Sequence, residues 1–324
     1  MTAALIGRRQ ESPDAVFPFE AGGRNRLLGL LPQEEFSQLA PHLREISLEQ
    51  GRVLQEPGET VDYVYFPHGG MISILAVMSE GETVETMTIG REGAVGLTSG
   101  LGSQTALNRA TVQLPGSAAQ ASAARWAELA QQSQKVRDLL LQYNDVQLAQ
   151  VQQAIACNAL HDVEARLCRR LLEARYRVGS DTLPVTQEFL AEMLNVRRTT
   201  VTLVARMLQS AGFIHYRRGV LHIRDVMALE GAACDCYRVV RGLTDRVAPS
   251  APIYPLFQKQ AFGPELIAAM RAAFEDILRG LQLSDRDDPL TAMIAKKIIE
   301  IAQTGERDPQ RIRERVLQSM STAP

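Results

Sequence analysis

The sequence predicts an α+β chain: an antiparallel β-roll, one long amphipathic helix, a helix-turn-helix backed by a hairpin, and a small all-α tail. Three observations predict it. Glycine turns break short apolar segments between about residues 43 and 120, and glycine is then absent until Gly179. Helix, short turn, helix and hairpin follow in close order between residues 186 and 223. The 324 residues leave room for two or three domains at about 100–150 residues each.

Residues 1–24 hold Pro13, Pro18, Gly22 and Gly23 with no sustained period, and read as a flexible N-terminus. A short helical stretch at Leu27–Leu31 and a helix from Pro32 to Ala40 come next. The β-roll occupies 25–132. Its turns are marked by Gly51, Pro57-Gly58, Gly69-Gly70, Gly81 and Gly90, and its strands by Val61–Phe66, Met71–Met78 and the alternating run Glu82–Ile89. Between Ser122 and Val178 the chain reads as nearly continuous helix with a break near Asn158. Val136, Leu139, Leu140, Tyr143, Val146, Leu148, Val151 and Ile155 recur at steps of three and four, which predicts one long amphipathic helix over 133–158. A helix of that length, about 37 Å at 1.5 Å per residue, suits a seam between two copies of the chain.

The domain over 159–243 starts with a helix at Val163–Val178 closed by Gly179. Thr186 is placed to cap a helix running to Leu194. After a turn at Asn195-Val196, a second helix spans Arg197 to about Ala211, and Phe213–Ile223 forms a hairpin with a turn at Arg217-Arg218-Gly219. On the second helix Val201, Val204, Ala205 and Leu208 share the inward face. That leaves Arg197, Arg198, Thr199, Thr202 and Arg206 outward. From 186 to 224 six arginines face two glutamates, in a chain whose net charge is −2. Bulk charge therefore offers no attraction to nucleic acid, whereas this local patch does. A recognition helix presents its N-terminal residues to base edges, and arginine there can take guanine in a bidentate grip. Arg217 and Arg218 at the hairpin tip suit phosphate contacts. Together these predict a winged-helix DNA-binding domain for double-stranded DNA.

In its order of parts the chain resembles the Crp–Fnr transcription regulators over about residues 25–240. The Gly58-Glu59 turn, the Gly93-Ala94-Val95-Gly96-Leu97 segment and the helix-turn-helix from Thr186 to Phe213 carry the likeness. The resemblance implies a cyclic-nucleotide-binding-like β-roll as sensor domain, a dimerisation helix, homodimeric binding to an inverted repeat, and contacts with RNA polymerase. It also marks Gly93, Ala94, Gly96, Leu97, Asn108 and Arg109 as the candidate effector pocket. Where nucleotide-binding members carry a ribose-holding glutamate, this chain has Ala94. Their phosphate-holding Arg-Ser pair is Asn108-Arg109 here. Both departures speak against cyclic AMP, and the effector is left open. In the recognition helix Arg198 matches the family's first base-reading arginine, Thr199 replaces its glutamate, Leu203 replaces its second arginine, and Thr200 matches a backbone-contacting position.

No cysteine precedes Cys157, so the cysteine cluster of the family's oxygen-sensing branch is missing. Cys234-Asp235-Cys236 lacks the second pair of a structural zinc site. Cys157 and His161 share a helical face that Cys168 does not follow, and the sequence predicts no cofactor and no metal. His215 and His222 lie on opposite arms of the hairpin. No nucleophile motif, P-loop or paired-carboxylate site appears, which argues against an enzyme. No stretch of about 18 apolar residues suggests a membrane span, and the expected location is cytoplasmic. Residues 244–262, with Pro249, Pro252 and Pro255, read as a linker. Three helices beginning at Pro264, Pro289 and Pro309 make up the extension 263–324. A second reading keeps the winged helix but gives it to protein contacts, in a sensor or scaffold that binds no DNA.

Overall fold

The computed structural model describes residues 25–248, 264–281 and 289–321. The expected flexible N-terminus and the linker from residue 249 onward lie outside the described residues. Helix α1 (Gln33–Leu39) leads into seven strands: β1 (Arg44–Leu48), β2 (Val53–Gln55), β3 (Tyr63–Pro67), β4 (Met71–Val77), β5 (Thr83–Ile89), β6 (Arg109–Leu114) and β7 (Gly116–Ser122). They pair antiparallel in two sheets of order β1-β7-β3 and β2-β6-β4-β5. Leu48, Tyr65, Ile72, Ile89, Val95 and Val112 fill one core of this β-roll. A second core sets Phe66 edge-on against Trp126, with ring centres 5.5 Å apart.

The expected single break in the helical stretch is two breaks. Helix α2 (Ala123–Gln132) ends at Ser133, which then caps α3 (Gln134–Leu160) by accepting the Val136 N–H while donating to Glu35 at 2.7 Å. The second break falls at His161-Asp162, where the Asp162 side chain caps α4 (Val163–Val178). Gly179 closes α4 in the left-handed conformation, as expected.

The long helix carries two apolar faces rather than one. Val136, Leu140, Tyr143, Val146, Ala154 and Cys157 are buried within the chain. Leu141, Leu148 and Ile155 lie on another face and are 52%, 56% and 65% exposed. The apolar period that predicted one stripe merges these two sets.

Beyond α4 come β8 (Thr182–Leu183), α5 (Gln187–Leu194), α6 (Arg198–Ser210), β9 (Ile214–Arg217), β10 (Val220–Ile223), α7 (Val226–Ala232) and α8 (Cys236–Val247). The three strands form one antiparallel sheet, β8-β10-β9, behind the helix-turn-helix. Helix α8 continues to Val247, past the expected linker start at 244, because it packs on α3: Thr244 accepts a 2.7 Å bond from buried Gln150. The described residues of the tail form α9 (Pro264–Gly280), α10 (Pro289–Gln303) and α11 (Pro309–Ser321) around a core of their own that includes Phe274, Ile298 and Val316. Among the described residues no helix is long and apolar enough to cross a membrane.

A buried ionic seam fastens the β-roll to α4. Arg177 meets Glu92 at 2.7 Å and donates to the Thr88 carbonyl at 3.0 Å. Arg170 bridges Glu85 of β5, at 2.9 Å, and Glu173, at 3.2 Å; Arg169 holds the other Glu173 oxygen at 2.7 Å. All six side chains are at most 7% exposed. Burial alone would raise the Glu173 carboxyl, but the three arginines outweigh it and hold the group at about 2. Glu92 is likewise depressed, Arg177 overcoming burial. At Glu85 burial wins over Arg170 and Ser73, and its carboxyl titrates above the ordinary range.

Candidate nucleic-acid interface

The helix-turn-helix forms where local sequence demands it. Thr186 accepts the Phe189 N–H at 3.1 Å and starts α5. Asn195 ends α5 at φ 51°, a left-handed conformation that asparagine tolerates better than most residues. Val201, Val204, Ala205 and Leu208 of α6 are buried, as the periodicity requires. Arg197 is the N-cap rather than the first residue of α6, and its side chain is exposed with those of Arg198, Thr199 and Arg206. Thr200 is half-buried. Thr202 is less free than expected: its hydroxyl sits 2.7 Å from Gln187 Oε1 of α5 and 3.0 Å from the Arg198 carbonyl.

Sequence reasoning set Leu203 aside as a departure. The structure leaves it 61% exposed, one turn on from Thr199. An exposed leucine among arginines and threonines is the signal that could have marked it. Arg198 has only a 3.9 Å approach to exposed Glu188, a contact too solvated to tie it down. A cleft of about 600 Å³ runs beside this end of α6, with Leu75, Thr83 and Glu85 on one wall and Glu192, Arg197 and Arg198 on the other.

The hairpin pairs Arg217 with Val220, so its loop is the two residues Arg218 and Gly219. Their φ values of 52° and 79° are those of a type I′ turn. Arginine is a poor choice for the first position of such a turn, where asparagine or glycine is free of strain. Both tip arginines are exposed. The wing is held from behind, where Gln209 of α6 accepts the Tyr216 N–H at 2.8 Å and the Tyr216 hydroxyl donates to the Val185 carbonyl at 3.1 Å. His215 and His222 face each other across the hairpin, with ring centres 6.3 Å apart.

The β-roll segment marked as effector pocket is closed by the chain's own side chains. The Tyr143 hydroxyl of α3 accepts the Ala94 N–H at 3.2 Å and lies so close to Gly93 that a Cβ there would come within 1.9 Å of it. Leu97 is buried and its carbonyl accepts the Trp126 indole N–H at 3.2 Å. Gly96 backs onto the Tyr63 carbonyl. Arg109 is held by both oxygens of Glu56, at 3.0 and 2.9 Å, and the Asn108 carbonyl accepts from Gln55. An anion would meet Arg109 only in competition with Glu56.

Two pairs of side chains that the sequence keeps apart converge where α3 ends. Cys157, His161, Cys234 and Cys236 place their ligand atoms within 4.8 Å of one another. Cys157 and Cys234 are 77 positions apart in sequence yet have sulfurs 3.6 Å apart. No local spacing announces such a meeting.

The Crp-like helix-turn-helix domain family matches residues 165–232, a stretch that contains α5, α6 and the hairpin. Among solved structures, a transcriptional regulator assigned to the Crp/Fnr family from Eubacterium rectale is similar at TM-score 0.51 and 16% identity, over 62% of this chain and 94% of its own. FixK2 from Bradyrhizobium japonicum is similar at TM-score 0.52 and 15% identity, over 59% of this chain and 98% of its own. At these identities the likeness is one of fold. No curated protein matches the sequence.

Proposed function

We propose that this chain, which carries a Crp-like helix-turn-helix domain on the fold of the Crp–Fnr regulators, is a sequence-specific DNA-binding transcription regulator that acts as a homodimer on an inverted repeat. The observation that carries the reading is the exposed face of α6 and the wing, where Arg197, Arg198, Arg206, Arg217 and Arg218 stand in solvent. In a protein whose net charge is −2 such a cluster is a local basic patch, and phosphate is the partner it suits. In this reading Arg198 and Thr199 read base edges, Leu203 packs on a thymine methyl, and Thr200, Arg217 and Arg218 hold the backbone. Thr202 positions the start of α6 through Gln187.

The second copy belongs on α3. Leu141, Leu148 and Ile155 repeat every seven residues on a face left open to solvent, the spacing of a two-stranded seam. The buried ionic seam supplies the route by which a signal at the β-roll moves the reading domain. Ala94 and the Glu56–Arg109 pair support a signal other than cyclic AMP. Contacts with RNA polymerase belong to the same reading through the family likeness.

Light scattering and duplex binding, each on wild type and Leu148→Asp, test it together. A wild-type dimer with salt-dependent duplex binding, and a monomeric variant with weaker binding, are the expected results. A wild-type dimer that retains no duplex at low salt would turn the reading toward protein contacts.

A further inference from the structure

Cys157 lies in the last turn of α3, and His161 is its C-cap. Cys234 lies in the link after α7, and Cys236 is the first residue of α8. The three thiols are buried and the imidazole is half-buried. Two contacts define the cluster: the Cys157 and Cys234 sulfurs at 3.6 Å, and the Cys236 sulfur with His161 Nδ1 at 3.5 Å. A tetrahedral ion with metal–sulfur bonds of about 2.3 Å and a metal–nitrogen bond of about 2.0 Å has edges of about 3.8 Å between sulfurs and about 3.5 Å from sulfur to nitrogen. These two separations lie close to those edges. A disulfide would need its sulfurs at about 2.05 Å, and it would leave Cys236 and His161 without a reason to be there. An iron–sulfur cluster distributes its thiolates over separate irons, which calls for a wider spread than 4.8 Å.

We infer that Cys157, His161, Cys234 and Cys236 form a closed, mononuclear, tetrahedral site for a thiophilic divalent ion of the zinc class. Three sulfurs and an imidazole exclude magnesium and calcium, which take oxygen. The surroundings are those of a metal centre. With Nδ1 as the ligand, His161 turns its Nε2 toward the Asp235 carboxylate, 3.6 Å away, the carboxylate–histidine pairing that orients metal-bound imidazoles. The Gln153 amide donates to the Cys236 sulfur at 3.0 Å.

Three thiolates, an imidazole and a divalent ion carry a net charge of −1. Arg166 and Arg169 of α4 both feel the charge of Cys157 and Cys234, and each has a buried Nε–H without a hydrogen-bond partner. The fourth cysteine, Cys168, is buried in the core of the helix-turn-helix domain and takes no part. All four ligands come from the chain, so the ion is structural. It ties the end of α3 to the helix that follows the winged domain, across the break at His161-Asp162. The site stands on this geometry whether or not the domain binds DNA.

The test is metal analysis of the full-length chain, purified without a polyhistidine tag, then chelator treatment and Co²⁺ titration under reducing conditions. One zinc-class ion per chain is expected. Apoprotein should give the intense visible bands of four-coordinate cobalt with a thiolate charge-transfer band, both abolished by one equivalent of Zn²⁺. Cys236→Ser and His161→Ala should lose that spectrum and Cys168→Ser should keep it. Gln153→Ala should bind about 10–100-fold more weakly. Because a ligand variant can misfold, the thermal midpoint of wild type is also compared with and without Zn²⁺, and a rise on adding metal is expected. Folded apoprotein that gives no cobalt spectrum and no thermal shift would overturn the site. Acid-labile sulfide at the same cysteines would overturn its mononuclear character.

Discussion

The start of α6 and the 93–97 segment of the β-roll carry the two most specific local signatures in the chain, and the fold treats them in opposite ways. At α6 the arginines and Thr199 are left in solvent, with exposed Glu188 3.9 Å from Arg198. At 93–97 the glycines bring the backbone close to partners, but those partners belong to the same chain: Tyr143 at Gly93 and the Tyr63 carbonyl at Gly96. A surface that meets a large polyanion must stay bare, because the partner brings the countercharge. A pocket that admits a small molecule must either stand open or be emptied first. On the proposed reading the α6 face is complete as it stands, whereas a signal acting at the β-roll has to move Tyr143 or enter elsewhere.

What joins the two regions is the seam of three arginines and three glutamates, and breaking it is the harshest test of the contrast. Glu173→Ala leaves Arg169, Arg170 and Arg177 without their shared anion. Its expected cost is about 3–5 kcal/mol, read from the denaturation midpoint; a loss under about 1 kcal/mol would mean that Glu173 is not what holds the three arginines of α4 in place for Glu85 and Glu92. The same seam gives an acid limit. Glu173 and Glu92 titrate below the ordinary carboxylate value of 4.5, so their contribution is complete above that value and fades as pH falls toward about 2. Glu85, titrating above it, acts in the opposite sense and offsets part of the loss. Glu173→Gln should flatten stability against pH in that window, and an unchanged slope would remove Glu173 from the account.

Smaller changes separate the two regions. Tyr143→Phe strips the Ala94 N–H of its acceptor and should cost about 1–3 kcal/mol in unfolding free energy without changing duplex affinity; equal loss in both would show that the regions are coupled even at rest. Arg198→Ala should weaken binding to the preferred duplex by about 1–3 kcal/mol and leave the denaturation midpoint alone. Arg218→Gly is the mildest. It relieves a left-handed arginine and should stabilise by a few tenths of a kcal/mol, while lowering the salt slope of binding by about 1. A slope equal to wild type would place the wing tip away from phosphate.

The α6 face was legible because its information is local. Val201, Val204, Ala205 and Leu208 fall on one side by helical period alone, and the arginines are what remains. The wing turn was legible from Arg218-Gly219 for the same reason. On α3 the period misled, since Tyr143 and Leu148 both look apolar while one packs inward and the other faces solvent. The seam was not legible at all, and of the cysteine cluster only the two halves were, Cys157 with His161 on one helical face and Cys234-Asp235-Cys236, not their meeting. Arg177 and Glu92 stand 85 positions apart, and arginines on a helix ordinarily face water. Cys157 and Cys234 look unrelated until α8 folds back on α3.

Selection of duplexes from a random pool, run in parallel with wild type and Arg198→Ala, tests the central claim most directly. The account predicts a two-fold symmetric site from wild type, with one base per half-site blurred and affinity reduced in the variant. A wild-type pool that stays random after repeated rounds, with the protein folded and dimeric, would contradict it.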